Sequence, residues 1–218
     1  MKKLLSLMLA AIMALCMVAC DIDTLIDGME SVADVIDNNE EKVELSRGTI
    51  EGDVYTNEFL SFQFTKPESW VYSTDEEIAA ITNIGAEKLL GENFKDALES
   101  NPSIYDMMVI DSITRCNINV GYENLSKTLS TNITVEQYVE ALKAQLAGAS
   151  EMTVTFPENF ETAKLGETEF TKVECTTDVQ GVSMKQVYYL KKVDGYMCFV
   201  IVTVTSGYTV EQIEAMFK

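Results

Sequence analysis

The chain has 218 residues, with 16 Lys and Arg against 35 Asp and Glu, no histidine, five cysteines and a formal net charge of −19. Without histidine it carries no Ser-His-Asp triad, no Cys-His pair and no histidine-containing zinc site. Its acidic field repels nucleic acid and anionic lipid head groups, which argues against direct DNA, RNA or peripheral-membrane binding.

At the N-terminus Lys2 and Lys3 precede an uncharged run from Leu4 to Val18. That run falls short of the ~20 residues a membrane-spanning helix needs, so it reads as a secretory signal. Two cysteines close it, and they differ in what comes before them: small Ala19 precedes Cys20, bulky Leu15 precedes Cys16. Signal cleavage requires a small side chain at that place. The sequence Met17-Val18-Ala19-Cys20 resembles the lipobox of bacterial lipoproteins, with Met where Leu is usual. The resemblance implies cleavage after Ala19, a diacylglyceryl group on the Cys20 thiol and attachment to the membrane through acyl chains such as palmitate. The alternative is an ordinary secretory signal cut after a nearby alanine. Asp21 resembles the inner-membrane retention signal of diderm lipoproteins and carries no such meaning in monoderms, so the kind of envelope stays open. Removing residues 1–19 takes two lysines and no acid from the charge of −19 and leaves −21. Acyl chains, not charge, are then expected to hold the protein at the outer face of the cytoplasmic membrane.

Residues 21–37 place Ile22, Leu25, Met29, Val32 and Ile36 at spacings of three and four among aspartates, the pattern of an amphipathic helix. Self-association through this stripe and packing back on the main domain are both open. A calcium loop beginning at Asp21 and Asp23 fails, because Leu25 and Ile26 stand where an oxygen ligand and a glycine are needed. The run NNEEKVELSRG is a polar linker. The expected organisation is a signal peptide over 1–19, a lipidated tether and acidic linker over 20–46, and one domain over 47–218, long enough to bury its own core.

Within that domain FLSFQFTKPESWVY alternates Leu60, Phe62 and Phe64 against Ser61, Gln63 and Thr65, which predicts a strand. Lys66-Pro67-Glu68-Ser69 reads as a type I turn, and Trp70 opens the next strand. DMMVID (106–111) and NINVGYEN (117–124) are two more, the second with Ile118, Val120 and Tyr122 inward. EFTKVECTT, SMKQVYYLKK and YMCFVIVTVT form a meander, its last two members joined by the hairpin signal Asp194-Gly195. With Gln180-Gly181 as the other turn, Cys175 falls opposite Gln186 and Cys198 opposite Lys191, on opposite sheet faces and too far apart for a disulfide.

Three helices announce themselves by one device, a Thr followed three residues later by Glu or Gln: Thr74 with Glu77, Thr134 with Gln137, Thr209 with Gln212. The second carries Val135, Tyr138, Val139, Leu142 and Leu146 on one face, with Gly148 as its cap. YMCFVIVTVT and DMMVID are apolar on both faces and must be covered on both. The expected fold class is α+β, an α/β/α sandwich with a largely antiparallel central sheet covered by helices on both faces.

The run GTIEGDVYTNEFLSFQFTKPESW, with Tyr55, Asn57, the aromatic strand, Pro67 and Trp70, resembles the opening of PsbP-like domains of bacterial lipoproteins. NINVGYENL, the helix from Thr134 and TVEQIEAMFK fall where that family has corresponding elements, so the resemblance covers most of residues 48–218. It implies the α/β/α sandwich of the photosystem PsbP subunit and the Mog-like Ran-binding proteins, neither an enzyme in its own right. Ion-related roles that PsbP proteins give to histidine do not carry over to this chain.

No Ser-x-x-Lys, G-x-S-x-G, P-loop or G-x-G-x-x-G occurs. An enzyme here would need a carboxylate pair of the glycosidase kind, and nothing in the sequence singles one out from solvated surface acids. No metal site and no cofactor beyond the lipid on Cys20 are expected. The aromatics Tyr55, Phe59, Phe62, Phe64, Trp70 and Tyr72 read as core, with a stacking platform as the alternative; Tyr55 and Phe59, off the Leu60-Phe62-Phe64 face, are the ligand-surface candidates. Cys116, Cys175 and Cys198 fall in predicted strands as small buried hydrophobes, the pairing of Cys116 left open. The leading reading is a lipid-anchored extracytoplasmic, non-catalytic binding or assembly module whose partner is another envelope protein. The alternatives are an extracytoplasmic hydrolase with a carboxylate pair and a carrier of a small apolar ligand.

Overall fold

A computed structural model of the protein describes residues 45–82, 93–147, 152–179 and 181–218. The signal, lipid-attachment and tether readings, Gly148 and Gln180 lie outside the described residues. In chain order the elements are β1 (Thr49–Glu51), β2 (Val54–Asn57), β3 (Phe62–Thr65), β4 (Trp70–Tyr72), α1 (Asp75–Thr82), α2 (Asn93–Ser100), β5 (Ser103–Asp111), β6 (Asn117–Asn124), α3 (Leu125–Thr128), α4 (Val135–Ala147), β7 (Met152–Thr155), β8 (Glu161–Leu165), β9 (Thr168–Val179), β10 (Val182–Val193), β11 (Tyr196–Val204) and α5 (Val210–Glu214). The fold is α+β. Among the described residues no helix is long and apolar enough to cross a membrane.

Eight strands form one sheet in the order β4-β5-β6-β11-β10-β9-β7, with β8 also on β9; β1-β2-β3 make a second, smaller sheet. Every ladder is antiparallel. The two turns set the register as expected: Val193 pairs with Tyr196 and Lys191 with Cys198, while Val182 pairs with Val179 and Gln186 with Cys175. Cys175 and Cys198 therefore point to opposite faces, and they and Cys116 are free, buried thiols. Cys116 sits one residue before β6, not inside a strand.

β11 is buried from Met197 to Thr203, as its two apolar faces require. In β6 burial goes further than the alternation of Ile118, Val120 and Tyr122 predicted. All eight residues are buried, Asn117, Asn119, Glu123 and Asn124 included, because the strand lies centrally between β5 and β11. Tyr122 meets Phe94 of α2 edge-on at 5.8 Å, and the next residue, Glu123, takes a hydrogen bond from Tyr138 of α4.

All three Thr caps form. Thr74 N–H donates to Glu77 Oε2 and Glu77 N–H to Thr74 Oγ1; Thr134 with Gln137 and Thr209 with Gln212 repeat the exchange. In α4, Tyr138, Val139, Leu142 and Leu146 are buried and Val135 is half-buried. The turn before Trp70 is displaced by one residue from its expected place. Trp70 N–H donates to Pro67 O, so Pro67 opens the turn instead of standing second in it.

The small sheet packs through Tyr55, Phe62 and Phe64, and its outer strand gains a partner from the far end of the described chain. Gln63 and Lys218 exchange backbone hydrogen bonds of 2.8 Å, Thr65 N–H donates to Met216 O, and Phe217 enters between the rings of Phe62 and Phe64 at 5.3 and 5.1 Å. Leu45 already belongs to the core.

Candidate functional site

Burying a carboxylate in an apolar strand is costly unless donors surround it. Asp106 interrupts the otherwise apolar middle of β5 and is 1% exposed. Its Oδ2 accepts from the hydroxyls of Tyr55 at 2.6 Å and Tyr122 at 3.2 Å and from Asn57 Nδ2 at 3.0 Å. The backbone N–H of Gly48 reaches both oxygens at 3.0 and 3.1 Å, and Arg47 Nε stands 3.6 Å from Oδ1. Arg47 also pairs with Asp75 at the start of α1. Asn57 bridges further, with its amide on both tyrosine oxygens and its Oδ1 accepting from Leu60 N–H. One carboxylate thus ties together the segment entering the domain, the small sheet, α1 and the large sheet.

The electrostatics follow from that enclosure. Burial pushes Asp106 up from the usual carboxylate range, partly offset by the Tyr55, Gly48 and Tyr122 hydrogen bonds and the Arg47 charge. Burial, reinforced by the Asp106 charge, pushes the Tyr55 and Tyr122 hydroxyls well up. Burial works against the Arg47 charge, but Asp75 and Asp106 outweigh it and hold the guanidinium protonated more firmly than usual.

A second buried carboxylate, Glu123 of β6, is also 1% exposed. Its Oε2 accepts from the Tyr138 hydroxyl at 2.6 Å, and its Oε1 has no hydrogen-bond partner among the described residues. Burial pushes it up, opposed only by the hydroxyls of Thr128 and Tyr138. A third cluster lies at α5, where Lys172 Nζ stands 3.1 Å from Glu174 and 2.9 Å from Glu214, whose Oε1 also accepts from Tyr189. Among the described residues no group of three or more His, Cys, Asp or Glu stands ready to hold a metal ion.

The two ligand-surface candidates differ from each other. Tyr55 is wholly buried and presents no surface. The reason is register: β2 pairs with β3 so that Tyr55 lies opposite Phe64, and antiparallel partners share a face. Phe59 is half-buried, its ring edge-on to Tyr122 at 5.9 Å. Of the other aromatics, Phe62, Phe64 and Trp70 are buried, and Tyr72 is half-buried at the small-sheet side with its hydroxyl on Asp53 O. The sequence reading missed Asp106, Asn57, Arg47 and Glu123. The signal was present, since a charge inside a strand apolar on both faces has to be buried and has to find donors.

No family model matches the chain, and no curated protein matches it. Among solved structures it is similar to the solution structure of cyanobacterial PsbP (CyanoP) from Synechocystis sp. PCC 6803, at 13% identity and a TM-score of 0.46, over 83% of this chain and 97% of that one. It is also similar to a crystal structure from Bacteroides thetaiotaomicron VPI-5482, at 10% identity and a TM-score of 0.38, over 72% of this chain and 44% of that one. The first bears the name of the family that the sequence resembles. At these TM-scores neither likeness carries an argument.

Proposed function

We propose that this chain is a non-catalytic binding or assembly module of the PsbP-like kind, lipid-anchored through Cys20 at the outer face of the cytoplasmic membrane, with another envelope protein as its partner. The support for the anchor is the contrast between Ala19 before Cys20 and Leu15 before Cys16, after a short uncharged run. The observation that carries the non-catalytic reading is how the buried carboxylates are used. Asp106 is enclosed by the chain's own donors on the Tyr122 side of the sheet, and Glu123, the neighbour of Tyr122, serves Tyr138 on the other side. Groups on opposite faces do not make the facing pair, ~5–10 Å apart with substrate between, that glycosidase-type hydrolysis uses. The same two contacts, Phe94 on Tyr122 and Tyr138 on Glu123, favour helix layers on both faces, the sandwich of the PsbP kind.

Metabolic labelling of cells with a fatty-acid analogue tests the anchor. Cys20→Ala is expected to lose the label and Cys16→Ala to keep it; label retained in Cys20→Ala overturns the anchor. Photo-crosslinking in intact cells tests the partner. One envelope protein recovered in a Cys20-dependent manner is expected, and an adduct set no different from that of an unrelated lipoprotein overturns the module.

A further inference from the structure

We propose that ionisation of the Glu123 carboxyl is a built-in pH switch that loosens α3 and α4 from the sheet. Glu123 stands where β6 ends and α3 begins, with Asn124 capping α3 through Ser126 N–H. Its one hydrogen bond to α4 is the 2.6 Å contact with Tyr138. A 1% exposed carboxylate with one oxygen unpartnered among the described residues concentrates charge where hydroxyls alone, and no cation, answer it. In the neutral form the Tyr138 contact can be made by either hydroxyl, and Oε1 is left as a plain carbonyl oxygen, which is far less costly to bury unpaired.

Among the described residues only two hydroxyls face the charge. From α3 comes the Thr128 hydroxyl and from α4 the Tyr138 hydroxyl, and no cation among the described residues counters the effect of burial. The sheet partners of Glu123 are Ser103 on β5 and Met197 on β11. Behind Tyr138 stand the Tyr105 and Tyr188 hydroxyls, which like Glu123 and burial push Tyr138 up and keep it neutral. Asp106 differs on this point, with Arg47 and four hydrogen-bond donors around it.

The sign follows from linkage. A carboxyl that ionises less readily folded than unfolded contributes stability that is complete below its ordinary titration range and is lost as pH rises through the folded value. Between the ordinary and the folded value one proton is released per opening, so the opening equilibrium grows about tenfold per pH unit there and levels off above the folded value.

The test is hydrogen exchange of the full chain in detergent, corrected for intrinsic rates, together with infrared spectra of the carboxyl region. In the wild type a protonated-carboxyl band is expected to persist above the ordinary titration range of carboxylates. Peptides from α3 and α4 are expected to lose protection with rising pH while those from β10 and β11 keep it. In Glu123→Gln the band is expected to fall by one carboxyl and the α4 protection to become flat with pH. An undiminished band, or an unchanged pH slope in that variant, overturns the proposal. Tyr138→Phe keeps the carboxyl and removes its donor, so the loss of α4 protection is expected to begin at higher pH; onset at the same or lower pH overturns it equally.

Discussion

Gly48 shows how tightly a single backbone position can be specified. Its N–H reaches both oxygens of Asp106, and a Cβ on it would overlap the ring of Tyr55, which is itself fully buried with its hydroxyl on the same carboxylate. Neither ring nor strand has room to give. Gly48→Ala is therefore expected to destabilise the domain by about 1–3 kcal/mol through overpacking, read as a lower urea midpoint with an unchanged slope. Trp70 makes a parallel case with a side chain. It is 1% exposed, packs against Phe64, and donates its indole N–H to the Tyr208 hydroxyl at 2.8 Å. Its fluorescence is expected to be blue-shifted and poorly quenched by iodide. Tyr208→Phe would strand that N–H, and equilibrium unfolding is expected to show a loss of about 1–3 kcal/mol.

Elements were legible where a local rule closes on itself. The three Thr caps each need only residues three apart, and the β9-β10-β11 register needs only two short turns, so both could be read without tertiary knowledge. Removing one cap, as in Thr134→Ala, is expected to cost about 1 kcal/mol, measured by thermal unfolding. The small sheet was not legible, since β1 and β2 are three- and four-residue strands whose pattern is too short to show a period. That omission alone misplaced Tyr55, because its face is set by pairing with Phe64 across the sheet. Helix α2 escaped for a related reason: Phe94, Ala97 and Leu98 are buried in an otherwise polar segment with no capping-box signal. The Asp106 cluster draws on residues 47, 48, 55, 57, 75, 106 and 122, and no window of sequence contains it.

At the scale of the whole molecule the same buried carboxylate joins parts that the chain order keeps apart, and the large sheet does likewise. Its centre is the β6-β11 ladder, in which Val120 pairs with Val200. Without β11 the remainder divides into a β4-β5-β6 ribbon and a β7-β8-β9-β10 ribbon that no longer pair with each other. A chain cut after Gly195 is expected to lose cooperative unfolding by tryptophan fluorescence, and a peptide spanning 196–218 to restore it. The ladder also sets a clock. Because closing so long a loop precedes any reward from the contacts it makes, the core cannot assemble until β11 is present. A polypeptide passing through a narrow pore with its N-terminus leading would deliver that strand after every other strand of the sheet, and so would stay slack enough to be threaded until then.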